Sequence, residues 1–384
     1  MSLTRTLRRR AGRAAILLLV ACLSITLMEG ASASAATKKS HHCKRHHHCK
    51  KHRKHRRHCR KHHRCKHCKK HHHCKRHRAK KKPQVTSPQG AGIAPAPAPS
   101  PMIVGLNAGN YGSAGLADVR NAVSTVRLDS SVGSSTFRSF ASSGARILVD
   151  FSGPYTQSGA SAIDAASWVT NALNFYAASC TTSACPWVQV LNEPYWPRWW
   201  GPNADSQANA DAYARLLRAT WQAFHTRYGS AAPQILAACE DQDWNRYWCD
   251  EWRNSPAVPN ALQYVDAVTL HAYGGIANRS QSALGTRANV DTAHAVSGKP
   301  VYVTEVGWPT ATQCGSTGDS FQWSEADQAA NITGFMDWAR TTGYIAGVFY
   351  FNYRDFGSCT WYGVVRGNGT HKPGYYALKA EAAK

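Results

Sequence analysis

The chain has 384 residues and a formal net charge of +24, but the positive charge is confined to one end. Residues 1–100 contain 27 Lys and Arg and a single acidic residue, whereas residues 101–384 carry a net charge of −2. This near-neutral body of 284 residues is long enough for one large core or barrel, and its charge gives no reason to expect specific nucleic-acid binding.

The first 36 residues have the features of an export signal. Five arginines precede an apolar stretch from Ala14 to Leu27, which is followed by small-residue cleavage sites within 31–35. The stretch is short for a transmembrane helix, so an uncleaved anchor is the weaker alternative. Lipidation at Cys22 is a further alternative, but the residues after it stay apolar where a lipoprotein turns polar. We therefore expect a secreted protein.

Residues 37–82 form a basic arm composed almost entirely of Lys, Arg, His and Cys. The arm has too little apolar material to fold alone, so we expect it to be disordered. Its charge density favours adhesion to an anionic cell-wall or surface polymer. Two alternatives stay open: transition-metal binding by closely spaced His and Cys, and a solvated tail without a specific partner.

A linker rich in Ala and Pro, residues 83–101, separates the arm from the body. Alternating Ala and Pro favour an extended polyproline conformation, which at roughly 3.1 Å per residue gives a spacer of up to about 60 Å. Such a spacer suits a body that works at a distance from a surface-held arm.

The body contains six cysteines, and export would place them in an oxidising compartment. Fifteen pairings are possible. We favour two pairs that close short loops, which leaves a third pair between the loops after the last two strands. These are Cys180–Cys185, Cys239–Cys249 and Cys314–Cys359. A metal site in the body is not expected, because the six cysteines lack paired CxxC spacing.

Eight apolar runs separated by helical patterns follow the linker. Most are continuous, which is typical of parallel strands covered on both faces. The predicted strands are Met102–Asn107, Thr125–Asp129, Arg146–Phe151, Trp187–Asn192, Gln234–Ala238, Ala267–His271, Val301–Thr304 and Ala346–Phe351. This alternation predicts a (β/α)8 TIM barrel over residues 102–384. An open doubly wound sheet is the alternative, but the glycines after the first strand do not fit a phosphate-binding loop.

Two helices are clear from their periodicity. Apolar residues recur at helical spacing from Tyr213 to Phe224, and Gly229 suits the C-terminus of that helix. The second helix is predicted from about Ser161 to Ala178, with its apolar residues on one face.

Two of the predicted strands end in a glutamate that proline and tryptophan follow. Glu193 lies in an Asn-Glu-Pro motif after the fourth strand, and Glu305 in a Glu-Val-Gly-Trp-Pro motif at the seventh. All strand ends of a barrel point to one rim, and strands four and seven lie on opposite sides of it, so the two carboxylates can face each other across a sugar. A single such acid is often a helix N-cap, but the repetition favours catalysis.

Other polar residues fall at the same rim. Hydrolysis of a glycoside with retention needs one neutral and one ionised carboxyl group, so neighbours must push the two pKa values apart. Arg127 is a candidate cation that keeps the nucleophile ionised, Tyr273 can donate a hydrogen bond to it, and His271 can orient the acid or line the sugar site. The alternatives are a structural salt bridge from Arg127 to Asp129 or Asp150, and a core histidine at position 271.

The two glutamate motifs resemble those of the clan A retaining glycoside hydrolases of the family 5, 17 and 39 types, which include cellulases, β-1,3-glucanases and β-xylosidases. The resemblance covers residues 102 to about 380. It implies that Glu193 is the acid/base, that Glu305 is the nucleophile and that Asn192 binds the sugar 2-hydroxyl. The family 5 pattern is also matched by Arg127, His271 and Tyr273. No cofactor is required.

Two positions depart from that pattern. It expects a histidine near the end of strand three, where Asp150 lies, and a tryptophan on strand eight, for which Trp361 in the next loop is a candidate substitute. Tryptophans follow three strand ends, which indicates either a glycan cleft or loops packed onto the barrel. The remaining substrate-binding candidates are Trp196, Trp308 and Asn107.

The sequence therefore predicts a secreted, monomeric retaining glycosidase, an endo-β-glucanase or similar enzyme, which acts on β-linked polysaccharide and is held at the cell wall by its arm. The alternative is a non-catalytic glycan-binding or wall-anchored adhesion protein on the same barrel. A third reading, driven by the arm, is a surface metal- or nucleic-acid-binding protein. Transglycosylation and an inverting mechanism stay open.

Overall fold

Eight parallel strands alternate with helices and close into a barrel. The computed structural model describes residues 101–109, 115–240, 248–273, 279–310, 323–356 and 361–384. The strands are β1 Ile103–Asn107, β2 Thr125–Asp129, β3 Arg146–Phe151, β4 Trp187–Val190, β5 Gln234–Ala238, β6 Ala267–His271, β7 Val301–Val306 and β8 Ile345–Tyr350. Each strand pairs with the next, and β1 pairs with β8. The prediction of a (β/α)8 barrel is confirmed.

The helices surround this barrel. They are α1 Leu116–Ala122, α2 Ser134–Ser142, α3 Ala165–Ser179, α4 Pro197–Trp200, α5 Gln207–Tyr228, α6 Trp248–Arg253, α7 Arg279–Ser297, α8 Glu325–Thr342 and α9 Pro373–Ala382. Their apolar faces pack against the outer faces of the strands and form one large hydrophobic core. Within the described ranges, no helix combines the length and the apolar character needed to cross a membrane.

The boundaries of α3 and α5 follow from their caps. The long helix expected around Tyr213 is α5. It begins after Ser206, whose hydroxyl accepts a hydrogen bond from a backbone N–H in the first turn. It ends before Gly229, where φ is 58°. The helix expected from about Ser161 begins later, because the side chain of Asp164 caps α3. Both helices were predicted, and only the start of α3 was placed too early.

The lower end of the barrel interior is filled by a layer of apolar side chains, which we call the basal layer. Its members are Leu148, Trp187, Leu236, Ala267, Tyr302 and Phe349, all at most 4% exposed. Gly105 on β1 lies directly against the Phe349 ring, since a Cβ atom there would be 2.5 Å from a ring carbon. The glycine therefore makes room for the aromatic ring inside the barrel.

The end of β4 differs from its prediction and sets the position of Glu193. The strand was expected to continue to Asn192 but ends at Val190, because Leu191 and Glu193 adopt positive φ values of 61° and 45°. Non-glycine residues reach this region only at some conformational cost, which is typical of functional sites. The indole of Trp200 donates to the Asn192 carbonyl at 2.9 Å and helps to hold the turn.

Two of the predicted disulfides are present. Cys180–Cys185 links the end of α3 to the segment before β4, and Cys239–Cys249 links the end of β5 to α6. The third predicted pair, Cys314–Cys359, lies outside the described residues.

Candidate active site

Glu193 and Glu305 converge at the upper end of the barrel, which we call the mouth. One imidazole reaches both carboxylates: His271 Nδ1 is 2.7 Å from Glu193 Oε1, and its Nε2 is 3.6 Å from Glu305 Oε1. The side chains of the two glutamates are only 8% and 12% exposed. Strands four and seven therefore bring the two acids together, as expected from their place at the strand ends.

Glu305 is held as a carboxylate by two donors. Arg127 Nη1 donates to its Oε1 at 2.8 Å, and the Tyr273 hydroxyl donates to its Oε2 at 2.8 Å. Burial raises the pKa of Glu305, but the charges of His271 and Arg127 and the Tyr273 hydrogen bond outweigh it and hold the pKa below its usual range. At neutral pH the group is ionised, as a nucleophile must be.

Glu193 has different neighbours. His271 binds its Oε1, and the indole N–H of Trp199 donates to its Oε2 at 2.8 Å. Burial lowers the pKa of His271, but the charges of Glu305 and Glu193 outweigh burial and raise it to about 9. The imidazole is therefore a cation at neutral pH, and its Nδ1–H donates to Glu193. Position 271 is not an isolated core histidine.

Arg127 is fully occupied by protein acceptors. Burial lowers its pKa, but the charges of Asp150 and Glu305 more than offset this, so its pKa is raised and it stays charged. A guanidinium has five N–H donors. The donors are paired as follows: Nε with Gln189, Nη1 with Asn107 and Glu305, and Nη2 with Asp150 and Asn192. Both contacts expected of Arg127 are present, since it binds Glu305 and forms a buried salt bridge with Asp150.

The two asparagines at the mouth are oriented by Arg127. Asn107 accepts from Arg127 through Oδ1 and donates through Nδ2 to the carbonyls of Thr304 and Tyr350, so it links three strands and braces the guanidinium. Asn192 Oδ1 accepts from Arg127 at 2.8 Å, which determines the orientation of the amide. With this orientation, the NH₂ group of Asn192 is the amide's available donor to a ligand.

The position on strand three that differs from the family 5 pattern holds a buried, paired aspartate. Asp150 stands where a histidine was expected and is 2% exposed. Its Oδ2 accepts from Arg127 at 2.7 Å and from the Ser152 hydroxyl at 2.6 Å. On the strand-eight side, Trp361 contributes its carbonyl oxygen to Thr310.

The tryptophans divide into two groups. Trp199 binds Glu193, and the ring of Trp196, which is 40% exposed, lies edge-on to that of Trp199 with centroids 6.5 Å apart, so both are close to the mouth. Trp308 is 3% exposed and packs against Phe335 and Tyr350, so its position does not support the expectation that it contacts substrate. Three other tryptophans that follow strand ends are also fully buried, namely Trp200, Trp248 and Trp252. Trp244 lies outside the described residues.

Sequence reasoning missed Gln189, which interrupts the apolar run of β4 and accepts from Arg127 Nε at 3.1 Å. A polar residue inside an otherwise apolar strand was the available signal. Glu240 lies two residues after the end of β5 and is 2% exposed. Within the described structure neither of its carboxyl oxygens has a hydrogen-bond partner, and burial raises its pKa to about 7. No group of three or more potential metal ligands is present in the described ranges.

Solved structures of glycoside hydrolases are among those similar to this chain. A structure of fungal β-1,4-galactanases aligns with a TM-score of 0.52 at 16% identity and covers 68% of this chain and 88% of that one. A variant of β-glucuronidase 2 from Bacteroides uniformis aligns at 0.52 with 12% identity, covering 73% of this chain and 34% of that one. The β-glucuronidase of Faecalibacterium prausnitzii aligns with a TM-score of 0.50 at 14% identity and covers 74% of this chain and 49% of that one. This chain thus spans at most half of the two glucuronidases.

The sequence matches no curated protein. Residues 156–369, more than half of the chain, match the family model described as glycosyl hydrolase catalytic core. The matched segment includes both glutamates, Asn192, His271 and Tyr273. The resemblance to clan A glycoside hydrolases is confirmed, and the chain belongs to the glycosyl hydrolase catalytic core family.

Proposed function

We propose that the protein is a retaining β-glycosidase that cleaves β-linked polysaccharide, with Glu305 as the nucleophile and Glu193 as the acid/base. The observation that carries this proposal is the convergence of the two carboxylates on His271, at 2.7 and 3.6 Å, with different partners on each acid. Glu305 is kept ionised by Arg127 and Tyr273, which is the state that attacks an anomeric carbon.

In the first step, a carboxylate oxygen of Glu305 attacks the anomeric carbon and the glycosidic C–O bond breaks. The leaving oxygen takes the proton that Glu193 carries, so the products are a glycosyl ester on Glu305, an ionised Glu193 and a free aglycone. The Tyr273 hydroxyl and Arg127 hold the attacking carboxylate in one orientation before the reaction. This preorganisation lowers the cost of reaching the transition state.

In the second step, Glu193 removes a proton from a water molecule, whose oxygen attacks the anomeric carbon. The ester C–O bond breaks, Glu305 leaves as a carboxylate, and Glu193 is again protonated. His271 and Trp199 hold the two oxygens of Glu193 through both steps, which keeps the carboxyl group aligned with the leaving or attacking oxygen. A sugar hydroxyl in place of the water would give transglycosylation.

Substrate contacts follow from the free groups at the mouth. The NH₂ group of Asn192 can donate to the sugar 2-hydroxyl beside Glu305, because its oxygen is occupied by Arg127. The exposed ring of Trp196 can stack on the C–H face of a sugar. Asn107 acts through Arg127 and braces it, and Trp308 packs in the core.

We favour a β-glucan as the substrate and endo cleavage as the mode. The test is product release from β-1,3-, β-1,4- and β-1,6-glucans, mannan, xylan and β-1,4-galactan, with wild type beside Glu305→Gln and Glu193→Gln. Release from a glucan that both substitutions abolish would support the proposal. Binding without release by the wild type would support a non-catalytic glycan-binding protein instead.

The stereochemistry of the product tests double displacement separately. Proton NMR of the first products should show the β anomer, since two inversions restore the configuration. The α anomer would overturn the covalent intermediate while leaving a glycosidase.

For the N-terminal region we propose three parts: an export signal in 1–36, an arm in 37–82 that binds an anionic cell-wall polymer, and a spacer in 83–101. Charge density supports the arm's role. Deleting 37–82 should leave activity on soluble substrate unchanged and abolish retention on wall material. Retention by the intact chain should fall with rising salt, because salt screens such charges. Retention that survives the deletion would contradict the arm's role, and N-terminal sequencing of the exported protein tests the signal.

A further inference from the structure

A small polar cavity lies beside the nucleophile, on the side of the mouth formed by β1, β2, β3 and β8. Its volume is about 140 Å³, roughly ten times the space that a single water needs. Glu305, Arg127 and Asn192 form the wall nearest the proposed reaction, and Asp150 and Asn352 line it as well. The cavity therefore opens directly beside the atom that would attack the sugar.

Two nearly buried side chains in this wall have unused hydrogen-bonding atoms. Asn352 is 2% exposed, and within the described ranges neither its Oδ1 nor its Nδ2 has a partner. Asp150 is 2% exposed, and its Oδ1 has no partner either, although its Oδ2 is paired with Arg127 and Ser152. Buried polar atoms are almost always hydrogen-bonded, so unpaired ones beside a cavity are the atoms that a ligand is expected to meet. Together they offer two acceptors and one NH₂ donor, which is the complement of sugar hydroxyls.

The charges around the cavity exclude an acidic ligand. Arg127 is the one cation among the described residues that line it, and its five N–H donors are already taken by protein acceptors. Three acidic side chains also line the cavity, those of Asp129, Asp150 and Glu305, and burial raises the pKa of Asp150 to about 7. Among the described lining residues, a ligand carboxylate would find neutral donors such as the Asn352 amide but no unoccupied cation to neutralise its charge.

We propose that this cavity binds one uncharged sugar residue of the substrate, that Asn352 and Asp150 pair with its hydroxyl groups, and that it excludes a uronic acid residue. The inference rests on the proposed function, because it takes the polysaccharide to be bound at Glu305. It separates this chain from β-glucuronidases with the same fold, whose similarity extends to the fold alone.

The test compares linear β-1,3- and β-1,4-glucan with the same two polymers after their C6 hydroxymethyl groups have been oxidised to carboxylates. We expect cleavage of a neutral glucan, and a kcat/KM at least about 100-fold lower for its oxidised form. Equal rates on the two forms would overturn the inference and leave the proposed function standing. Inactivity on all four polymers and on the β-1,6-glucan of the substrate panel would overturn the proposed β-glucan function and the inference with it.

A second experiment replaces Asn352 with Ala. If its amide pairs with sugar hydroxyls, KM for the neutral glucan should rise and kcat/KM should fall about tenfold or more, with the melting temperature near that of the wild type. The matched control is Asn121→Ala, in the last turn of α1 just before β2 begins, which should leave both constants unchanged. An unchanged KM in a folded Asn352→Ala protein would overturn the role of Asn352. The oxidised-polymer comparison uses the wild type only and is decisive even where the variant does not fold.

Discussion

The basal layer and the mouth lie inside the same barrel, one above the other, yet they are built from opposite chemistry. The basal layer is apolar and closely packed, so every side chain in it removes hydrocarbon from water. The mouth buries Arg127, Asp150, Glu193 and Glu240, whose desolvation is costly unless each is paired. Within the barrel interior, the basal layer therefore contributes to stability, while the mouth accepts electrostatic cost in order to position charges.

Replacing Glu305, the proposed nucleophile, tests the functional side of this comparison. Glu305→Gln should lower kcat by at least about 10⁴-fold, because no other described carboxylate is paired with both Arg127 and Tyr273. Its loss of stability should be small beside its loss of activity, since the amide oxygen can accept from Arg127 and the NH₂ group can donate to the Tyr273 hydroxyl oxygen. The measurement is kcat beside the free energy of unfolding in urea.

The control for that variant is an acid that is buried and paired away from the mouth. Glu381 on α9 is 3% exposed and bonded to Arg340. Glu381→Gln should lower stability and leave the kcat of the folded protein unchanged. A large loss of kcat in this control would contradict the separation of the two regions.

Truncating the basal layer should give the reverse pattern. Phe349→Ala is expected to cost about 3–5 kcal/mol, because it leaves a cavity inside the barrel. Residual kcat, measured well below the melting temperature, should stay near the wild-type value. A loss of activity without loss of stability would show that the two ends of the barrel are coupled.

Glu240 tests whether the mouth carries an electrostatic cost. Burial raises its pKa from 4.5 to about 7, although the charge of His271 opposes this and those of Glu193 and Glu305 add to it. Between these pH values the folded protein binds more protons than the unfolded chain, so Glu240 makes stability fall as pH rises through this window.

Glu240→Gln removes that dependence. The stability of the variant relative to wild type should therefore increase from pH 5 to pH 8 by up to about 3 kcal/mol. Urea unfolding of both proteins at the two pH values measures the difference. A difference that does not vary with pH would contradict a buried, titrating carboxyl at this position.

The smallest expected effect comes from the packing of Gly105. Gly105→Ala places a Cβ 2.5 Å from the Phe349 ring and should cost about 1–3 kcal/mol through overpacking. The matched control is Gly334→Ala in α8, where no atom lies within 4 Å of the new Cβ and a gain of about 0.5–1 kcal/mol is expected. Melting temperatures of the two variants give the comparison. Equal shifts would show that the basal layer is loosely packed.

Much of the barrel was predictable, because continuous apolar runs and helical periodicity are local properties of the chain. β2, β3, β5 and β6 match their predicted bounds residue for residue. The end of β4 did not, since the positive φ at Leu191 and Glu193 depends on the loop that Trp200 braces. Trp308 was assigned to the cleft by its place after Glu305, whereas packing against Phe335 and Tyr350 turned it into the core.

The sequence predicted which residues form the candidate site better than it predicted the contacts between them. Parallel strands in a barrel direct all their carboxyl ends to one rim, so the sequence determined that Glu193, Glu305, Arg127, His271 and Tyr273 share a mouth. The saturation of Arg127, the contact of one imidazole with both acids and the unpaired atoms of Asn352 were decided only by the tertiary structure. They depend on distances between residues far apart in the chain, such as the 2.8 Å hydrogen bond between Arg127 and Glu305, which are 178 positions apart. Such distances, like the burial that shifts a pKa, exist only once the barrel has closed.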